Sequence, residues 1–225
     1  MTTRLGLLHT GAVHVGAFER LLAEEHPTAV GAHRVDESLL ADARSLGADH
    51  QRVAEQVERQ LRGVAEDVGA VLCTCSTIGA VAESMSGRIG VPIVRIDRPM
   101  AAAAVARGDR IGIVAAVAST LGPTRALLDE EADAARRSVT LVDLVCPEAW
   151  ANFEAGDGEG YLDLLAAHVD RVAASVDVIV LAQASMAGAA TRCTTATPVL
   201  TSPSTGLAAA IAAARAAGDT RPASR

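Results

Sequence analysis

Lysine is absent from this 225-residue chain. Its absence excludes Schiff-base catalysis through a lysine amine and any phosphate loop that ends in Lys-Ser or Lys-Thr. Gly6 and Gly11 match neither nucleotide-binding glycine fingerprint. Aromatic residues make up only 2% of the chain although half of it is hydrophobic, so the core must be built from Ala, Val, Leu and Ile. No apolar run approaches the ~20 residues needed to span a bilayer, so no membrane partner is expected. The formal net charge is −7 and no basic cluster stands out. That composition argues against a nucleic-acid partner, which would need a cationic face to displace counterions. Four cysteines are too few for a disulfide framework in a chain of this length. The N-terminus shows no basic segment followed by an apolar stretch and a cleavage site, so a reducing cytoplasm with free thiols is expected. The polar tail from Gly218 to Arg225 reads as frayed.

What the chain does contain is an internal echo. Arg4-Leu5-Gly6-Leu7-Leu8 is answered by Arg110-Ile111-Gly112-Ile113-Val114, and Val91-Pro92-Ile93-Val94 by Thr197-Pro198-Val199-Leu200, both at an offset of 106. Val71-Leu72-Cys73-Thr74-Cys75-Ser76-Thr77 is answered by Ile179-Val180-Leu181-Ala182-Gln183-Ala184-Ser185 at an offset of 108. Three echoes in the same order indicate two similar halves of roughly 100 residues.

Each half alternates short apolar runs with helical patterns. Strands are expected at 4–9, 29–35, 70–74 and 91–94, then at 110–115, 139–145, 177–182 and 198–201. Helices fit 14–25, 50–66, 77–86, 100–106, 120–136, 161–175 and 204–217. Val53, Val57, Leu61 and Val64 form one apolar stripe, and Leu162, Leu165, Val169 and Val172 another. The segments 36–49 and 146–160 read as loops. Buried strands alternating with helices imply parallel sheets with helical cover, whose ligands bind beyond the carboxyl ends of the strands. Thr10, Asp36, Cys75, Ser76, Thr77, Asp97, Ser119, Thr120, Gln183, Ser185, Thr201 and Ser202 follow those ends.

Cys75 falls at a strand end just before a helix, where backbone N–H groups and the helix dipole favour a thiolate. Ser76 and Thr77 add hydroxyl donors. Equally, Cys75 can be a small buried residue, and Thr77 a helix N-cap with no ligand. Cys73 and Cys75 point to one side of the strand, and no second close pair or histidine cluster completes a metal site around them. Ser119 and Thr120 form a second candidate carboxylate cradle or a helix cap. Asp36 and Glu37 read as caps rather than as a base. His14 and His33 lie nearest the strand ends in the first half, where either could be a general acid or base, although a surface or helix-face position is the commoner reading. Cys146 and Cys193 read as structural.

The whole pattern resembles the aspartate/glutamate racemase superfamily, which includes hydantoin racemases, maleate cis-trans isomerases and arylmalonate decarboxylases. Cys75-Ser76-Thr77 looks like its first Cys-Asn-Thr motif, and the strand from Arg110 to Ser119-Thr120 like its strand and Gly-Thr turn. Gln183 stands where the second cysteine is expected. The resemblance implies an α/β fold of two pseudo-symmetric lobes, each a parallel sheet flanked by helices, with the active site in the interlobe cleft. Residues 1–98 with 206–225 would form the first lobe and 99–205 the second. It implies no cofactor and no metal. The expected function is a cofactor-independent isomerase or racemase acting on a small carboxylate or related carbonyl compound. Cys75 would be catalytic. Thr10, Ser76, Thr77, Ser119, Thr120, Gln183 and Ser185 would bind substrate. An amide is a poor proton donor or acceptor near neutral pH, so a symmetrical two-thiol exchange does not fit this chain. The alternatives are a decarboxylase or lyase of the same fold and a non-catalytic small-acid binding protein. A homodimer is the default assembly.

Overall fold

The computed structural model describes residues 2–220. The chain divides into two compact units, one made of Met1–Ile96 with Pro203–Arg225 and one of Asp97–Ser202.

The first unit is built on strands β1 (Thr3–His9), β2 (Ala29–Val35), β3 (Ala70–Cys73) and β4 (Ile93–Arg95), all parallel, in the order β2-β1-β3-β4. Helices α1 (Val13–Glu25), α2 (Ser38–Leu46), α3 (Gln51–Val64), α4 (Ser76–Glu83) and α5 (Ser86–Ile89) connect them. Leu8, Val71 and Cys73 face a core closed by Leu39, Val53, Val57, Leu61 and Ile78 from α2, α3 and α4. All four apolar residues of the α3 stripe are buried, each stabilising by about 1.5–3 kcal/mol relative to exposure. On the other face lie α1 and the final helix of the chain, which runs from Pro203 to Thr220 and packs on β1, β3 and β4. The expected frayed tail falls, from residue 221 onward, outside the described residues.

The second unit opens with α6 (Arg98–Arg107) and carries β5 (Arg110–Ala115), β6 (Thr140–Val145), β7 (Val178–Leu181) and β8 (Val199–Leu200). These are also parallel, in the order β6-β5-β7-β8. Helices α7 (Leu121–Ala135), α8 (Pro147–Glu154) and α9 (Gly158–Val172) cover its faces, and α10 is the closing Pro203–Thr220 helix of the first unit. Leu165 and Val169 are buried, with Leu162 and Val172 packed against the same core.

The duplication holds residue by residue. Leu5 pairs with Ala70 and Val71 with Ile93 in the first sheet, where Ile111 pairs with Val178 and Ile179 with Val199 in the second. The offsets of 106 and 108 read from the sequence are therefore the structural offsets, and they make Cys75 and Gln183 equivalent positions. The twin glycines share a cause. A Cβ on Gly6 would sit 2.8 Å from the Val64 carbonyl oxygen, and one on Gly112 would sit 2.7 Å from Leu144 Cδ1. A helix residue presses on one glycine and a strand side chain on the other.

Some local expectations give way. The helix expected over 77–86 starts at Ser76, ends at Glu83 and is followed by the short α5, so Cys75 rather than Thr77 is the N-cap. The segments 36–49 and 146–160 hold α2 and α8 rather than loops.

Candidate functional site

At the carboxyl edge of the first sheet, β3 ends at Cys73, which is fully buried among apolar neighbours. Thr74 follows, and the chain then swings into α4 through Cys75, whose extended backbone (φ −111°, ψ 116°) makes it the N-cap. Cys75 is half-buried, as are Ser76 and Thr77 in the first turn behind it. Thr10, also half-buried, lies two residues past Leu8, as Cys75 lies two past Leu8's registered partner, Cys73. So Thr10, Cys75, Ser76 and Thr77 gather at the ends of two adjacent strands. Behind α4, the buried Arg95 lies against Gly79, with Nε 3.2 Å from where a Cβ would be. Asp36 accepts from the Ser38 N–H at 3.1 Å and from its hydroxyl at 2.6 Å, while Glu37 holds the N-cap position of α2 with no side-chain cap bond.

Between these residues runs a buried polar chain that the sequence reading passed over. His9, the last residue of β1, is wholly buried. Its Nδ1 lies 2.9 Å from the Thr74 hydroxyl, and its Nε2 lies 2.9 Å from Nδ1 of His33 on β2. Thr74 in turn donates its hydroxyl proton to the Leu8 carbonyl at 3.1 Å. Burial, then the nearby His33 and His14, pull His9 down to about 3. Burial also lowers His14, and lowers His33 against the opposing pull of the Glu19 carboxylate. His33, read as a surface residue, is instead a partner of His9.

The second unit's edge is arranged differently. Gln183 takes Cys75's place in an extended conformation (φ −122°, ψ 137°) ahead of a 3-10 turn over Ala184–Ala189. Its Oε1 accepts from the Ala116 N–H at 2.9 Å and the Val117 N–H at 3.3 Å. The carbonyl end of the side chain is thus spent on the loop after β5, and only the NH2 end is left to address anything else. Ser119 and Thr120 part company. Ser119 is exposed, whereas Thr120 is buried and donates its hydroxyl to the Val117 carbonyl at 2.8 Å. Ser185 Oγ lies 3.0 Å from the hydroxyl of Tyr161, a buried phenol that desolvation pushes up to about 12. Asp97 is buried at the start of α6, Thr201 is half-buried and Ser202 is buried after β8. Cys146 and Cys193 are held above the ordinary thiol range, chiefly by burial. Cys193 Sγ lies 3.2 Å from the Ala189 carbonyl. Among the described residues no group of three or more His, Cys, Asp or Glu is placed to hold a metal ion, and no helix is long and apolar enough to cross a membrane.

The two parallel α/β units repeat one topology, β2-β1-β3-β4 answered by β6-β5-β7-β8. The chain belongs to the Asp/Glu/hydantoin racemase family, whose model matches residues 9–212; it is an enzyme of the racemase class. No functionally curated protein is significantly similar in sequence. Solved structures of the same fold include the aspartate racemase of Picrophilus torridus, at 12% identity and TM-score 0.69, covering 96% of this chain and 94% of that one. The glutamate racemase of Thermus thermophilus matches at 17% identity and TM-score 0.63, covering 100% and 85%. The allantoin racemase of Klebsiella pneumoniae matches at 17% identity and TM-score 0.62, covering 96% and 89%.

Proposed function

We propose that this protein is a cofactor-independent racemase or isomerase of a small carboxylate or related carbonyl compound, with Cys75 as its one reacting thiol. The observation that carries this reading is the asymmetry between Cys75, half-buried at the N-terminus of α4, and Gln183, its register equivalent. A thiolate at Cys75 takes the α-proton: the C–H bond breaks, S–H forms, and the electron pair moves onto the carboxylate as an enediolate; a water then protonates the α-carbon on the opposite face, and the hydroxide left takes the S–H proton and restores the thiolate. Thr10, Ser76 and Thr77 supply hydroxyls to the developing charge. Within the second unit, the Gln183 NH2 group and the exposed Ser119 hydroxyl are donors, and neither is a base. Thr120 and Ser185 already bond within their own unit, at Val117 and Tyr161, and support this edge rather than touch substrate.

The amide at 183 favours a second form of the same chemistry. In that form the Cys75 thiolate adds to an activated carbon–carbon double bond, the resulting carbanion rotates about the new single bond, and elimination expels the same thiolate. One sulfur performs both halves of that cycle, so no second proton donor is needed.

The test is a substrate panel of amino acids, hydantoins, malonates and maleate in deuterated buffer, followed by NMR. α-Deuterium uptake or geometric isomerisation that disappears in Cys75→Ser supports the reading. Carbon dioxide release from a malonate points to a decarboxylase instead. Ligand-induced thermal stabilisation with no turnover points to a binding protein.

A further inference from the structure

We infer that His9 and His33 are positioning residues for Cys75, acting through the hydroxyl of Thr74. The inference rests on the reading of Cys75 as the reacting thiol.

The hydrogen positions in the chain follow from its ends. The Leu8 carbonyl can only accept, so the Thr74 hydroxyl donates to it at 3.1 Å. Toward His9 that hydroxyl must then accept, which puts the proton of His9 on Nδ1. A neutral His9 has a bare Nε2, which accepts from the Nδ1–H of His33. Donation therefore runs in one direction, from His33 to His9 to Thr74 to Leu8. The Thr74 N–H donates to the same Leu8 carbonyl at 3.0 Å. Thr74 is thus clasped at both its backbone and its side chain, and the next residue is Cys75. Each lock on Thr74 narrows the directions in which the turn can aim the sulfur.

The second unit is an internal control for whether the fold needs this chain. At the register equivalents of His9 and Thr74 it carries Ala115 and Ala182, both buried. At the equivalent of His33 it carries Asp143, exposed and paired with Arg125. The same four-stranded sheet forms around the two alanines, with the Ala182 N–H bonded to the Val114 carbonyl at 2.9 Å as Thr74 is to Leu8. Burying two imidazoles and a hydroxyl is costly unless each bond is made. A sheet that forms without them has no need of them for its own sake. The polar chain occurs in the unit that holds the thiol, and the alanines in the unit that holds the amide.

The decisive variant writes the second unit's pair into the first: His9→Ala with Thr74→Ala, in the full chain. Carboxamidomethylation of Cys75 by iodoacetamide at neutral pH, read by peptide mass spectrometry, measures the thiol with no substrate required. We expect the double variant to react more slowly by on the order of tenfold, as a misplaced reacting group does. Thr74→Val, which keeps the shape and removes the hydroxyl, should slow the reaction similarly. His9→Asn should restore most of the rate, because its side-chain amide can donate to Thr74 where Nδ1–H did. A double variant that alkylates at the wild-type rate or faster overturns the inference, as does a His9→Asn protein no better than the double variant. Wild-type Cys75 that reacts no faster than Cys193 overturns both this inference and the proposed function. Once a substrate is in hand, the double variant should lose kcat by a similar factor with KM unchanged.

Discussion

The Ala116 N–H donates to Gln183 Oε1 across 2.9 Å, which ties the end of β7 to the first residue beyond β5. A cysteine at 183 could not make this bond to two backbone groups. The amide therefore fastens a loop, and the position is not merely a lost thiol. Gln183→Ala strands the N–H groups of Ala116 and Val117 and should cost about 1–3 kcal/mol. Gln183→Glu keeps an acceptor there and should cost less. Urea denaturation of the three proteins measures the order.

The two thiols flanking Thr74 should separate function from stability. Cys75→Ser is expected to abolish turnover while leaving the melting temperature near that of the wild type, because residue 75 is only half-buried. Cys73 is fully buried in the apolar core. Cys73→Ser places a hydroxyl there and should cost about 1–3 kcal/mol. Calorimetry and an activity assay on both proteins distinguish the two roles.

Acid should weaken the fold through His9. Its pKa falls from an ordinary 6.5 to about 3 on folding, so between those values the unfolded chain binds more protons than the folded one. The contribution is complete above pH 6.5 and is lost progressively as the pH falls toward about 3. The lowered His14 and His33 act with the same sign. The urea midpoint of the wild type should drop between pH 7 and pH 5 by more than that of His9→Ala/Thr74→Ala. Equal drops would show that the buried imidazole does not titrate as its surroundings imply.

Glycine positions should respond in opposite directions. Gly6→Ala drives a Cβ to within 2.8 Å of the Val64 carbonyl, a backbone atom that cannot swing away, and should destabilise by about 1–3 kcal/mol. Gly63 sits inside α3 with nothing within 4 Å of a new Cβ. Gly63→Ala should stabilise by about 0.5–1 kcal/mol, the difference in helix propensity. Thermal melts of the two variants test both signs.

The strands were legible because fully buried parallel strands are unbroken apolar runs, and runs such as Leu5–Leu8 and Val178–Leu181 have no competing pattern. The repeat made the equivalence of residues 75 and 183 readable before any coordinates. Helix α2 escaped because it buries only Leu39 and Ala43, too thin a stripe to register as periodic. Helix α8 escaped because it buries only Ala149, with Trp150 and Phe153 merely packed alongside. Of the candidate site, Cys75, Ser76 and Thr77 were legible as residues that follow a strand end. His9 was not: the strand is legible through residue 9, but its polar end has no role until its partners His33 and Thr74 are placed beside it. Its contacts depend on the strand order, which sets residues 33, 9 and 74 on neighbouring strands. Nothing local in the sequence announces that order. The bond from Ala116 to Gln183 was hidden for the same reason.

Helix α10 comes from the far side of the second unit in sequence, yet it covers β1, β3 and β4 of the first. The second unit is contiguous in sequence, whereas the first sheet takes part of its cover from a helix that follows the second unit. A chain cut before Pro203 would keep α1 on that face but leave β1, β3 and β4 without their covering helix. Completion of the first unit therefore waits on residues made after the whole of the second.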